Sequence, residues 1–102
     1  MDIEIKEKIP ELVMLCKKYR VSKMYLFGSA SIGTFNENSD IDFLISFQSD
    51  VTLEEYADNY FDLMFEIEDM FGRKIDLVTE NTLSNPYFIH SVEQTKKLIY
   101  AA

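Results

Sequence analysis

The run Ser39-Asp40-Ile41-Asp42-Phe43-Leu44-Ile45 places two carboxylates, two residues apart, at the start of an apolar strand-like segment. Successive side chains on a strand point to opposite faces, so Asp40 and Asp42 share one face and lie side by side. Two such anions repel each other unless a proton or a cation intervenes. An ordinary Asp titrates near about 3.9, and a strand start beside a polar loop is wet, so both are expected to be ionised at neutral pH. A divalent metal is the natural resident.

The rest of the chain limits what can hold that metal. Cys16 is the only cysteine and His90 the only histidine, which excludes an internal disulfide and a Cys/His zinc set and leaves oxygen ligands. At 102 residues, 47% hydrophobic and 27% charged, the composition is that of one soluble globular domain over residues 1–102, with a single core. No apolar run approaches the roughly 20 residues that cross a bilayer, and Met1-Asp2-Ile3-Glu4-Ile5-Lys6 is too charged for a secretory signal, so a cytoplasmic location without membrane contact is expected. Ten Lys+Arg against eighteen Asp+Glu give a net charge of -8, which disfavours gripping a long nucleic acid alone and suits a small nucleotide or a basic protein partner.

Periodicity predicts a helix from about Lys6 to Tyr19, with Pro10 either in its first turn or at a bend. Lys23–Phe27 reads as a strand stopped by Gly28, Ala30–Ser39 as a polar, turn-rich loop, and Asp40–Phe47 as the second strand. Thr52-Leu53-Glu54-Glu55 is a capping box that opens an amphipathic helix ended by Gly72, with Leu53, Tyr56, Ala57, Tyr60, Met64, Ile67 and Phe71 expected on its apolar face. Lys74–Thr79 is a third strand, in which Ile75 and Leu77 face one way while Asp76 and Val78 face the other. A last helix is expected from Asn85 and Pro86 to about Tyr100, burying Ile89, Val92 and Ile99. Together these elements predict an α/β (α+β) domain, a small mixed sheet with helices packed on one face.

Asp76 is a third carboxylate, set among apolar neighbours, where a charge needs a partner. Arg73 or Lys74 could supply a structural salt bridge. If instead the third strand lies beside the second with Asp76 on the face of Asp40 and Asp42, the three form an oxygen cage suited to Mg²⁺. That arrangement suits a two-metal reaction on a nucleotide phosphate. Gly28-Ser29, after a strand, can bring backbone N–H groups and a hydroxyl to the same phosphates. His90 and Cys16 read more simply as a surface residue and core filler. Phe61, Phe65, Phe71, Tyr56 and Tyr60 are read as mostly core, with enough left over to form a contact patch for a partner or a second copy.

Leu26-Phe27-Gly28-Ser29, Gly33, Ser39-Asp40-Ile41-Asp42-Phe43-Leu44-Ile45 and Ile75-Asp76-Leu77-Val78 together resemble the polymerase-beta-like nucleotidyltransferase superfamily. The short length is similar to its minimal nucleotidyltransferases (MNT), antitoxins often encoded beside a HEPN-domain toxin. The resemblance implies the nucleotidyltransferase fold and transfer of a nucleoside monophosphate, AMP from ATP, to a hydroxyl of a HEPN-type partner. It further implies that Gly28 and Ser29 bind the nucleotide, that Asp40, Asp42 and Asp76 hold two Mg²⁺ ions, and that Asp76 helps deprotonate the acceptor. The stretch Gly28-Ser29-Ala30-Ser31-Ile32-Gly33 departs from the common Gly-Ser-x-Ala-Arg-Gly at Ile32, which removes a cation. Two other readings remain at this stage: a non-catalytic module that masks its partner, and the catalytic subunit of an aminoglycoside-type or RNA-end nucleotidyltransferase.

Overall fold

The computed structural model of the chain describes residues 1–33, 36 and 38–102, so part of the expected Ala30–Ser39 loop lies outside the described residues. Two helices, α1 (Ile3–Glu7) and α2 (Ile9–Lys18), lead into β1 (Val21–Phe27) and a single helical turn, α3 (Ser29–Ile32). Then come β2 (Ile41–Phe47), α4 (Leu53–Phe71), β3 (Ile75–Thr79), a 3-10 turn (Glu80–Thr82), α5 (Pro86–Thr95) and β4 (Lys97–Ala101). Pro10 falls in the first turn of α2, where its missing N–H breaks no helical bond.

The strands form one four-stranded sheet in the order β3-β2-β1-β4. β1 runs antiparallel to both β2 and β4, whereas β2 and β3 are parallel and joined through α4. This is the mixed sheet expected from the sequence. Its main core lies where α2 and α4 meet the sheet: Leu12 and Cys16 pack with Met24, Leu26, Phe43, Ile45, Leu63, Ile67 and Leu77. A smaller cluster of Phe27, Leu44 and Val92, with Tyr25, Val78 and Leu83 against it, brings α5 onto the alternate side chains of β1 and β2.

α4 is bounded by purely local chemistry. The Thr52 hydroxyl accepts from Glu55 N–H at 3.2 Å while the Glu55 carboxylate accepts from Thr52 N–H, and Gly72 ends the helix at φ 63°. Its buried stripe is Leu63, Ile67 and Phe71, with Tyr60 and Met64 partly covered. Leu53, expected on that stripe, is 88% exposed because the first turn lies clear of the core.

The expected Ala30–Ser39 loop opens with helical residues of α3, and the expected last helix changes type partway along. It starts as predicted, with the Asn85 side chain accepting from Tyr87 and Phe88 N–H, but ends at Thr95. Lys96 is extended (φ -65°, ψ 139°), and Lys97–Ala101 becomes a strand on the open edge of β1. Ile99 is buried as expected, through the sheet rather than through a helix. Pairing with a strand more than 70 residues earlier supplies backbone partners that no local pattern reveals.

Candidate active site

β1 and β2 end and begin at the same corner of the sheet, which is why Gly28 and Asp42 meet. Phe27 pairs with Asp42 across the antiparallel ladder, so Gly28 follows directly beside that carboxylate. Gly28 has φ 72° and ψ -153°, a conformation that side-chain-bearing L-residues rarely adopt. A Cβ there would collide with Asp42 Oδ2 and stand 3.3 Å from Cγ. Glycine at this position is therefore required twice, by torsion and by space.

Asp76 lies opposite Asp42 in the parallel β2–β3 ladder, as the Ile41↔Ile75, Asp42↔Asp76 and Phe43↔Leu77 register shows. In-register neighbours share a face, and Ile75 and Leu77 are buried on the other face while Asp76 is exposed. Asp40 precedes the strand and is also exposed. Asp42, by contrast, is half-buried: burial first, then the charges of Asp76 and Asp40, push its carboxyl up to about 6. The sequence argument treated both members of the pair as wet; Asp42 is not. The three expected carboxylates are thus brought to one electrostatic neighbourhood.

No cation among the described residues relieves that repulsion. Among the described residues, Asp40, Asp42 and Asp76 accept no hydrogen bond and form no ion pair. The proposed structural salt bridge to Asp76 is absent from this set; Arg73 instead donates to the carbonyls of Asn36 and Ser39 at 3.2 and 3.0 Å. The donor chemistry, carboxylate oxygen alone, fits a hard divalent cation. As the side chains stand, no three acidic, imidazole or thiol groups among the described residues close into a ligand set. A bound ion would have to draw the carboxylates inward.

Ser29 opens α3 beside this cluster, with no hydrogen bond on its hydroxyl among the described residues. Ile32, on the same turn, is 56% exposed and carries no charge. A cation arrives from elsewhere: Lys97 Nζ, on β4, donates to Ser31 C=O at 2.8 Å. Thr95 also reaches this turn, its hydroxyl accepting from Gly28 N–H at 3.1 Å. The sequence reading missed both Thr95 and Lys97 because it ran the last helix through them. Thr95 closes α5, and the break after it turns Lys97 to the Gly28–Ser31 turn and leaves the Thr95 C=O to accept from the Ser31 hydroxyl.

On the far side of Asp76, an apolar cleft of about 420 Å³ runs between α4 and β3, lined by Tyr60, Phe61, Leu77 and Val78 among others. The Tyr60 hydroxyl donates to Leu77 C=O at 2.6 Å, and its pKa is raised by burial and by the charge of Asp76. Phe61 and Phe65 are 51% and 59% exposed, so part of the aromatic set is indeed left outside the core. His90 is exposed, and burial pushes the Cys16 thiol up to about 12, in keeping with a surface residue and core filler.

Residues 7–102 match the family model described as polymerase beta, nucleotidyltransferase. The Methanocaldococcus jannaschii protein named "Putative protein adenylyltransferase MJ1379" is 36% identical over 98 residues, 95% of this chain and 94% of the relative. A solved structure described as a putative minimal nucleotidyltransferase superposes with a TM-score of 0.70 at 28% identity, covering 95% of each chain. The fold is also that of a chain in the structure of tri-AMPylated Shewanella oneidensis HEPN toxin in complex with MNT antitoxin. There the TM-score is 0.66 at 18% identity, over 95% of this chain and 72% of that one. With the matched model spanning nearly the whole chain and Asp42 and Asp76 in register on β2 and β3 beside Gly28, the protein belongs to the polymerase-beta nucleotidyltransferase family.

Proposed function

We propose that the protein transfers AMP from ATP to a hydroxyl on a HEPN-type toxin and so acts as its antitoxin. The observation that carries this reading is the in-register Asp42–Asp76 pair, unrelieved by any cation among the described residues and crowded against Gly28. The names of the relatives support the choice of reaction and partner: a protein adenylyltransferase, and a HEPN toxin carrying AMP in complex with its MNT antitoxin.

Each residue has a role in this scheme. Mg²⁺, held by Asp40, Asp42 and Asp76, would offset the charge of the triphosphate and of the developing pyrophosphate. Gly28 lets the Asp42 carboxylate lie against the turn, and Ser29 offers its hydroxyl to the phosphates. Asp76, exposed on the edge strand, takes the proton from the acceptor hydroxyl as its oxygen bonds to the α-phosphorus and pyrophosphate departs. A cytoplasmic site of action, where ATP is at hand, belongs to the same proposal.

The test is to incubate the protein with a HEPN-type toxin from the same genome, Mg²⁺ and labelled ATP, and to follow the mass of both proteins. Label on the partner, absent with Asp42→Asn, is the expected result. Neutralisation of the partner by Asp42→Asn as complete as by the native chain, with no label on either protein, would replace catalysis with simple masking.

A further inference from the structure

Gly28 has no torsional preference that would hold it at φ 72° and ψ -153°, so external bonds must do so. Its N–H lies just past Phe27, the last residue of β1, and donates to Thr95 Oγ1 at 3.1 Å. The same hydroxyl donates to Ser91 C=O at 3.1 Å, which turns a lone pair toward Gly28. A chain of bonds, Gly28 N–H to Thr95 O–H to Ser91 C=O, is thereby formed, and each member polarises the next. Thr95 C=O accepts from the hydroxyl of Ser31, a buried residue. One residue from the last turn of α5 thus grips both ends of the stretch from Gly28 to Ser31.

We infer that Thr95 is a positioning residue for the nucleotide site: it fixes the Phe27–Gly28 peptide beside Asp42 and keeps the Gly28 N–H occupied. Gly28 then serves the site by admitting the Asp42 carboxylate against the turn, and Ser29, with no hydrogen bond on its hydroxyl among the described residues, is the donor to the phosphates. This role rests on the nucleotidyl-transfer reading above. Removing the hydroxyl leaves the Gly28 N–H without its partner and releases the peptide to rotate, which weakens phosphate binding while the sheet behind it stays intact.

The experiment compares the native chain with Thr95→Val, close in shape but lacking the hydroxyl, and Thr95→Ser, which retains it. AMP-PNP binding with magnesium chloride is measured by calorimetry, and amide exchange at Gly28, Phe43 and Ile45 by NMR without nucleotide. The native chain and Thr95→Ser should protect the Gly28 amide and bind alike. Thr95→Val should lose protection at Gly28 alone and bind about tenfold more weakly, with KM for ATP rising more than kcat falls in the label-transfer assay. Binding by Thr95→Val within twofold of native, with Phe43 and Ile45 still protected, overturns the role. Should Thr95→Val fail to fold, the native Gly28 amide decides. Protection that persists when AMP-PNP is added upholds the role, and exchange at the rate of an open loop overturns it. Absence of AMP-PNP binding by the native chain removes the nucleotide reading itself and this role with it, even if Gly28 is protected.

Discussion

Gly28 and Asp42 constrain each other across the β1–β2 ladder. A methyl group at Gly28 meets the Asp42 carboxylate, and the left-handed φ adds strain of its own. Gly28→Ala should therefore lower the unfolding free energy by about 1–3 kcal/mol in urea titrations and abolish AMP-PNP binding. The raised carboxyl of Asp42 gives a pH dependence whose sign follows from linkage. The native state holds this proton up to about 6, whereas the unfolded chain releases it near the usual carboxylate value. Between those values the native state binds more protons, so this group's contribution makes stability fall as pH rises to about 6 and level off above. Asp42→Asn should remove that slope and, without metal, raise stability at pH 7.5 by on the order of 1 kcal/mol, discounted for the half-exposed site. Added Mg²⁺ should raise the native Tm at pH 7.5, with the gain fading below pH 6 as protons compete, and should do little for Asp42→Asn. Differential scanning calorimetry across pH 5–8 checks both. The sequence left the meeting of Asp42 and Asp76 conditional on β3 lying beside β2, because strand parity is local while strand neighbourhood is not; the parallel β2–β3 register supplies it. The burial of Asp42 was not legible, because the residues crowding it arrive from other elements.

Among the elements, α4 was legible at both ends because Thr52, Glu55 and Gly72 act on their own backbone. Thr52→Ala should cost about 1 kcal/mol in chemical denaturation and leave AMP-PNP affinity unchanged, since the cap belongs to the far end of α4 rather than to the Asp42 corner. Which residues that helix buries was less legible: Leu63, off the predicted stripe, is buried, whereas Leu53 is not, because the extent of the sheet beneath decides the contact. β4 was not legible at all. Its five residues carry no turn or cap signal, and their strand form depends on the edge of β1. Strand alternation predicts a sharp contrast there. Ile99→Ala, in the main core, should cost about 2–4 kcal/mol, whereas Leu98→Ala, largely exposed, should stay within about 0.5 kcal/mol in the same titration.

At the scale of the whole molecule, the alternation of helix and strand announced a mixed sheet, and the apolar face of α4 announced where its main core would lie. The second cluster, Phe27 with Leu44 and Val92, was hidden because it joins three segments distant in sequence. That cluster seats α5, and α5 delivers Thr95. The bond from Gly28 to Thr95 spans 67 residues. A growing chain on the ribosome can thus make the strand that carries Asp42 long before it makes the residue that secures the turn beside it. On the role proposed for Thr95, a chain made past Asp42 but not yet to α5 displays the carboxylate beside a turn that nothing yet secures.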